Sequence, residues 1–103
     1  MKPTNVMIDI ETMDLIPGAA IVSIGAVVFD PRYNVVTDDT FYTELDWKAQ
    51  GRSIDKGTKE WWKGQSPKAK SALRGTTTLE DALEDLAFWI PPRCTGVGQW
   101  PQL

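Results

Sequence analysis

The chain has no histidine at all. That absence removes Ser-His and Cys-His nucleophile systems, an imidazole general base and His-ligated zinc. A single cysteine, Cys94, excludes an internal disulfide framework and fits a reducing cytosol. Positive charge is scarce too: 11 Lys and Arg stand against 14 Asp and Glu, a net charge of −3. Proteins that coat duplex DNA or an anionic membrane ordinarily carry a basic footprint, so neither task is expected. An enzyme that meets nucleic acid through metal ions is not excluded by that argument. Long hydrophobic runs are also missing. The stretch from Ala19 to Phe29 is interrupted by Ser23 and is too short to span a bilayer. Near the N-terminus, Asp9 and Glu11 break what would be the apolar core of a secretory signal. A soluble, cytoplasmic protein with no membrane contact is expected.

What is present suffices for one folded domain: 103 residues, 42% hydrophobic and 24% charged, with five tryptophans. Val6-Met7-Ile8 reads as a short buried strand whose C-terminal end carries acids. After a Pro17-Gly18 turn, Ala20 to Phe29 is β-rich and almost continuously apolar, as a central strand covered on both faces would be. Asp30 to Asn34 is turn chemistry. A third strand places Phe41, Thr43 and Leu45 on one face, with Tyr42 and Glu44 on the other. Short turns between the three predict an antiparallel meander.

The second half reads as helical. Thr58 is expected to cap a short helical turn containing Trp61 and Trp62, and Ser66-Pro67 starts a helix that stops at Gly75. Leu79, Ala82, Leu83, Leu86, Ala87 and Ile90 form one apolar helical face, opened by Thr78 with Asp81 and ended by Pro91-Pro92. Leu79, Leu83, Leu86 and Ile90 are expected to pack on the sheet around Val22 and Ile24. From Arg93 to Leu103 periodicity vanishes, and Gly96-Val97-Gly98 lacks the third glycine and following helix of a dinucleotide loop.

Asp9 and Glu11 are the chemical signal. Residues two apart on a strand share a face, so both carboxylates stand at one edge of the sheet. Hard oxygen ligands at that spacing suit magnesium or manganese, and two-metal phosphoryl chemistry needs several of them. Taken alone, an Asp-x-Glu pair is more simply a solvated strand end.

Context changes the weighting. Asp9-Ile10-Glu11-Thr12, the Pro-Gly turn and Ile21 to Val27 resemble the first motif and second strand of the DEDD superfamily of 3′-5′ exonucleases, built on an RNase H-like fold. Gly51-Arg52-Ser53-Ile54-Asp55, Thr58, Trp61-Trp62 and Gln65 resemble its phage- and prophage-type, 3′-5′ exoribonuclease-like branch. The resemblance runs from about residue 5 to about residue 90 and implies an incomplete RNase H-like α/β fold, with a three-stranded meander and C-terminal helices packed on the sheet. It implies a hydrolase that cleaves phosphodiester bonds at the 3′ end of single-stranded RNA or DNA. It makes Asp9 and Glu11 catalytic metal ligands for Mg²⁺ or Mn²⁺, two ions in the complete family domain, and sets Thr12 and Met13 beside the terminal nucleotide. Trp61 and Trp62 either stack on bases or lie as a lid on the sheet, with packing favoured for one of them.

The sequence departs from that family where the third and fourth acids and the water-positioning His or Tyr belong. Residues 1–92 therefore read as the N-terminal part of the exonuclease domain, and 93–103 as an out-of-frame tail. Back-translated and read from the second base of the Arg93 codon, the tail permits Val-Trp-Gly-Asn-Gly and, after two further residues, Phe, which resembles the family's next strand. A truncated, inactive copy is expected, with self-association through the sheet edge that the lost strand leaves open. The alternatives are a non-catalytic nucleic-acid- or partner-binding remnant of the same fold, and a plain interaction module in which Asp-x-Glu is coincidence.

Overall fold

A computed structural model describes residues 5–94 of the chain. The sheet is an antiparallel meander in the order β1-β2-β3, formed by β1 (Asn5–Thr12), β2 (Ile21–Asp30) and β3 (Val35–Glu44). Three helices follow: α1 (Lys56–Lys63), α2 (Pro67–Lys70) and α3 (Leu79–Trp89). Single 3-10 turns lie at Lys48–Gln50, Ser71–Arg74 and Pro91–Arg93. The mixed α/β class and the meander are as the sequence predicts. The tail beyond Cys94, with its Gly96-Val97-Gly98, lies outside the described residues. Among the described residues no helix is long and apolar enough to cross a membrane.

The turn between β2 and β3 is local chemistry. The Asp30 carboxylate takes both the backbone amide and the guanidinium of Arg32, and Asn34 adopts φ 53°, a left-handed value that asparagine tolerates. Each α-helix opens on a side-chain cap. The Asp55 carboxylate accepts from the Thr58 amide at 2.8 Å, the Ser66 hydroxyl from the Ala69 amide, and the Thr78 hydroxyl from the Asp81 amide. Thr58 is thus capped rather than capping. Asp55 is in the extended region at φ −88°, ψ 130°, where a cap residue belongs, and a carboxylate outcompetes a hydroxyl for the free amides.

The core forms two clusters. One joins Ile24, Ala26 and Leu45 to Ala82 and Leu86 of α3 and to Ile90 at its C-cap, flanked by Val6, Ile8, Phe41, Leu79 and Trp89. The other joins Met13, Ala20 and Val22 to Trp47, Trp62 and Ala72. Two expectations change here. Val22 belongs to the second cluster, not beneath α3: β2 carries a bulge, because Glu11 pairs Ser23 while Thr12 pairs Ile21, leaving Val22 as the extra residue. Leu83 is 48% exposed, while Leu86 is 9%. At 100° per residue the buried stripe centres on Leu86, with Ala82 and Ile90 on either side, and Leu83 lies on its flank, which the described strands leave uncovered.

Among the described strands β1 lies at the edge and is only half covered, with Met7 and Ile10 exposed, so it is less buried than its apolar start suggested. Segment 50–55 is laced to the β1–β2 loop. Gln50 bonds both the amide and the carbonyl of Ile21, the Arg52 guanidinium donates to the Ala19 and Pro17 carbonyls, and the Asp55 amide donates to the Met13 carbonyl. The Ser53 hydroxyl closes the lacing on the Asp14 carboxylate.

Candidate active site

The register of the meander builds one polar row after another on a single face. Asp9 pairs Gly25, which pairs Tyr42; Glu11 pairs Ser23, which pairs Glu44. Strand alternation sends Val6 and Ile8 to the α3 side, so Asp9 and Glu11 share the opposite face, their α-carbons about 7 Å apart along the strand. Both side chains are exposed, and no described Lys or Arg forms an ion pair with either.

These acids open into a cleft of about 460 Å³. Its sheet wall is Asp9, Glu11, Ser23, Gly25 and Tyr42; the facing wall is Trp61, Trp62, Gln65, Ala69 and Ala72. On the far side of Glu11 and Trp61 lies a second hollow of about 470 Å³, bounded by Ile10, Thr12, Leu15, Asp55, Gly57 and Thr58. Glu11 and Trp61 border both.

The two tryptophans part company. Trp62 is 5% exposed, belongs to the core and donates its indole N–H to the Thr12 carbonyl at 3.1 Å. Trp61 is 57% exposed and meets Trp62 edge to face, ring centroids 5.5 Å apart. Trp62 therefore fixes α1 against the end of β1, and Trp61 presents a free aromatic surface beside the acids. Thr12 lies next to Glu11, with its hydroxyl turned to the Asp14 carbonyl at 2.6 Å. Met13 is fully buried. Its amide and carbonyl are tied to Ala20 and Asp55, which pulls the side chain into the core and leaves it no surface to offer a nucleotide.

Tyr42 is the cleft residue that sequence reasoning passed over. Its hydroxyl donates to the Glu44 carboxylate at 2.8 Å. Desolvation raises the phenol above its ordinary range, the Glu44 carboxylate adds to this, and the nearby Ser23 hydroxyl works in the other direction. The signal was present in the strand alternation. Tyr42 and Glu44 lie opposite the apolar Phe41–Leu45 face, and in a meander that is the face Asp9 and Glu11 occupy.

As a donor set, Asp9 and Glu11 are two hard carboxylates on one face, open to water, and they suit Mg²⁺ or Mn²⁺. Among the described residues no third Asp, Glu, His or Cys gathers with them into a group able to hold a metal ion.

Comparison with known proteins agrees on the class of chemistry. A family profile described as a 3′-5′ exoribonuclease Rv2179c-like domain matches residues 4–100, a span that reaches well into the tail. An exodeoxyribonuclease of Enterobacteria phage T4 is 39% identical over an alignment of 75 residues that covers 65% of this chain and 33% of that protein. The chain thus spans about a third of the length of this relative. The crystal structure of cell-death related nuclease 4 (CRN-4) has a similar fold, with a TM-score of 0.52 at 10% identity, covering 85% of this chain and 30% of that one.

Proposed function

The chain belongs to the Rv2179c-like 3′-5′ exoribonuclease family, and from that premise we propose that its cleft is the carboxylate half of a metal-dependent 3′-5′ exonuclease site. The observation that carries this reading is the row geometry: Asp9 and Glu11 share a face, unpaired by any described cation, at the mouth of a cleft walled by an exposed tryptophan.

Asp9 and Glu11 would hold the ion. A bound Mg²⁺ or Mn²⁺ would neutralise phosphate charge and make water more acidic at the site. The remaining work falls to the chain's own side chains. The exposed face of Trp61 stacks on a base without regard to sequence, which a nuclease that removes each nucleotide in turn requires. Trp62 and Thr12 hold Trp61 at its distance from Glu11 through the indole–carbonyl bond. The substrate is a single strand with a 3′ end.

Two carboxylates leave most of an ion's coordination to water, so the chain by itself binds metal weakly and does not turn over. The absence of a third carboxylate among the described residues also favours a second reading, a non-catalytic nucleic-acid-binding remnant of the same fold. One assay separates them. A 5′-labelled single-stranded RNA and its DNA counterpart are incubated with the chain and Mg²⁺ or Mn²⁺, with Asp9→Ala in parallel. Ion-dependent binding that needs Asp9, without shortening of the strand, is the expected result. Stepwise loss from the 3′ end that Asp9→Ala abolishes would refute inactivity and the remnant reading together. Binding that is indifferent to both the ion and Asp9 would refute the metal site and leave the remnant reading standing.

A further inference from the structure

We propose that Tyr42, held by Glu44, is a specificity-determining residue of this cleft that accepts a hydrogen bond from a sugar hydroxyl of the 3′-terminal nucleotide. The inference rests on the nuclease reading above and adds to it the group on the substrate that is read.

A phenol has one proton to donate and an oxygen that accepts. The proton is committed. It goes to the Glu44 carboxylate at 2.8 Å, along the strand and two residues on. Toward the cleft, Tyr42 can then only accept. The residue between it and Asp9 is glycine, where a β-carbon would make only ordinary contact, 3.8 Å from Cδ1 of Tyr42 and 4.0 Å from the Asp9 carbonyl. A larger side chain there would fill the space between the acid row and the phenol. The side chain is 60% exposed, so packing does not account for its place.

An acceptor beside two acceptor-only carboxylates selects for a donor. An ionised phosphate has none. A nucleotide offers donors at base N–H groups and at sugar hydroxyls. Base donors differ from one nucleotide to the next, and an enzyme that shortens a strand stepwise meets every base. The sugar hydroxyl is the donor common to all of them, and the 2′-hydroxyl is what distinguishes RNA from DNA. Glu44 does not line the cleft itself. It acts through Tyr42, by taking the phenol proton, and is a positioning residue.

The test uses the whole chain with Mn²⁺ and tryptophan fluorescence as the binding signal, since Trp61 borders the same cleft. The probes are one short single-stranded RNA and two copies whose last nucleotide is 2′-deoxy or 3′-deoxy. For the unaltered chain, removal of the hydroxyl that is read weakens binding about tenfold, the order expected for the loss of one hydrogen bond. The identity of the deoxy probe that loses affinity tells which hydroxyl it is. Tyr42→Phe, which removes the acceptor, and Glu44→Ala, which frees the phenol proton, both abolish the difference among probes, a ratio that a purely structural role for either residue would not move. Equal binding of all three probes by the unaltered chain, or an unchanged ratio in both variants, overturns the assignment and leaves the nuclease reading standing. If no probe binds, both readings fall.

Discussion

Gly75→Ala is the substitution whose cost the structure specifies most closely. Gly75 follows the Ser71–Arg74 turn at φ −61°, ψ 149°, a backbone conformation open to any residue, so conformational freedom is not why glycine is there. The reason is close approach. A β-carbon on Gly75 would lie 2.5 Å from the Leu45 amide nitrogen and 2.6 Å from the Glu44 carbonyl oxygen, distances that real β-carbons do not tolerate. Ordinary contact needs about 3.5 Å, so the two backbones must separate by about 1 Å. The bonds beside them then stretch: the Asp46 amide to the Thr77 carbonyl at 2.8 Å, and the Trp47 indole to the Leu73 carbonyl at 3.0 Å. Overpacking against atoms that cannot rotate away costs about 3 kcal/mol, and a strained hydrogen bond adds about 1 kcal/mol. The stiffer unfolded chain returns about 0.4–1 kcal/mol, for a net loss of about 3 kcal/mol. Equilibrium urea unfolding followed by tryptophan fluorescence reads this as a midpoint lower by about 2 M with the slope unchanged. Gly18→Ala is the control, because a β-carbon there meets nothing within 4 Å and φ is not positive. It is expected to be neutral or slightly stabilising. A loss below about 0.5 kcal/mol at Gly75, or equal effects at both glycines, would refute the reasoning.

Other substitutions test the rest of the fold. Leu86→Ala should cost about 2–3 kcal/mol by urea unfolding and Leu83→Ala under about 1 kcal/mol, since only Leu86 is enclosed by the sheet; the reverse order would mean that α3 is docked on a different face. The Asp30 carboxylate is held below its ordinary range chiefly by the hydrogen bond from the Arg32 side chain. A depressed carboxylate stabilises the fold fully above its ordinary value of 3.8 and loses that contribution as pH falls through the lowered one. Asp30→Asn should therefore flatten the acid limb of a stability–pH curve and leave its neutral shape unchanged, and an acid limb as steep as before would show that the pair is inert.

Much of this was legible in the residues. Alternation gave the third strand its two faces, Pro67 and Thr78 marked helix starts, and the two-residue spacing of Asp9 and Glu11 set both acids on one side of the sheet. What escaped is the set of choices that only tertiary contact makes. Trp61 and Trp62 are successive helical residues, about 100° apart, so one faces inward; the Thr12 carbonyl, distant in sequence, decides which. Met13 follows the acid motif directly and reads as a site residue, yet segment 50–55 binds its backbone and draws it inward. Leu83 fits the apolar helical period, but period alone says nothing about the width of the sheet beneath. Gly75 reads as a helix stop, and its contact with Glu44 is visible only once the chain has returned to β3. Tyr42 sits in an early hairpin remote from the acids in sequence, and the pairing Asp9–Gly25–Tyr42 brings it into their cleft.

The central claim is that Asp9 and Glu11 hold a divalent ion in the cleft between the sheet and α1, and paramagnetic Mn²⁺ tests it most directly. Amide resonances of the ¹⁵N-labelled chain are recorded as substoichiometric Mn²⁺ is added. Broadening should begin at Asp9, Glu11, Ser23, Gly25 and Tyr42, the residues of the two rows and the cleft wall, and should disappear from them in Asp9→Ala. Broadening that begins instead at the exposed acids Asp38 and Asp39, or that persists around Gly25 in Asp9→Ala, would contradict the claim.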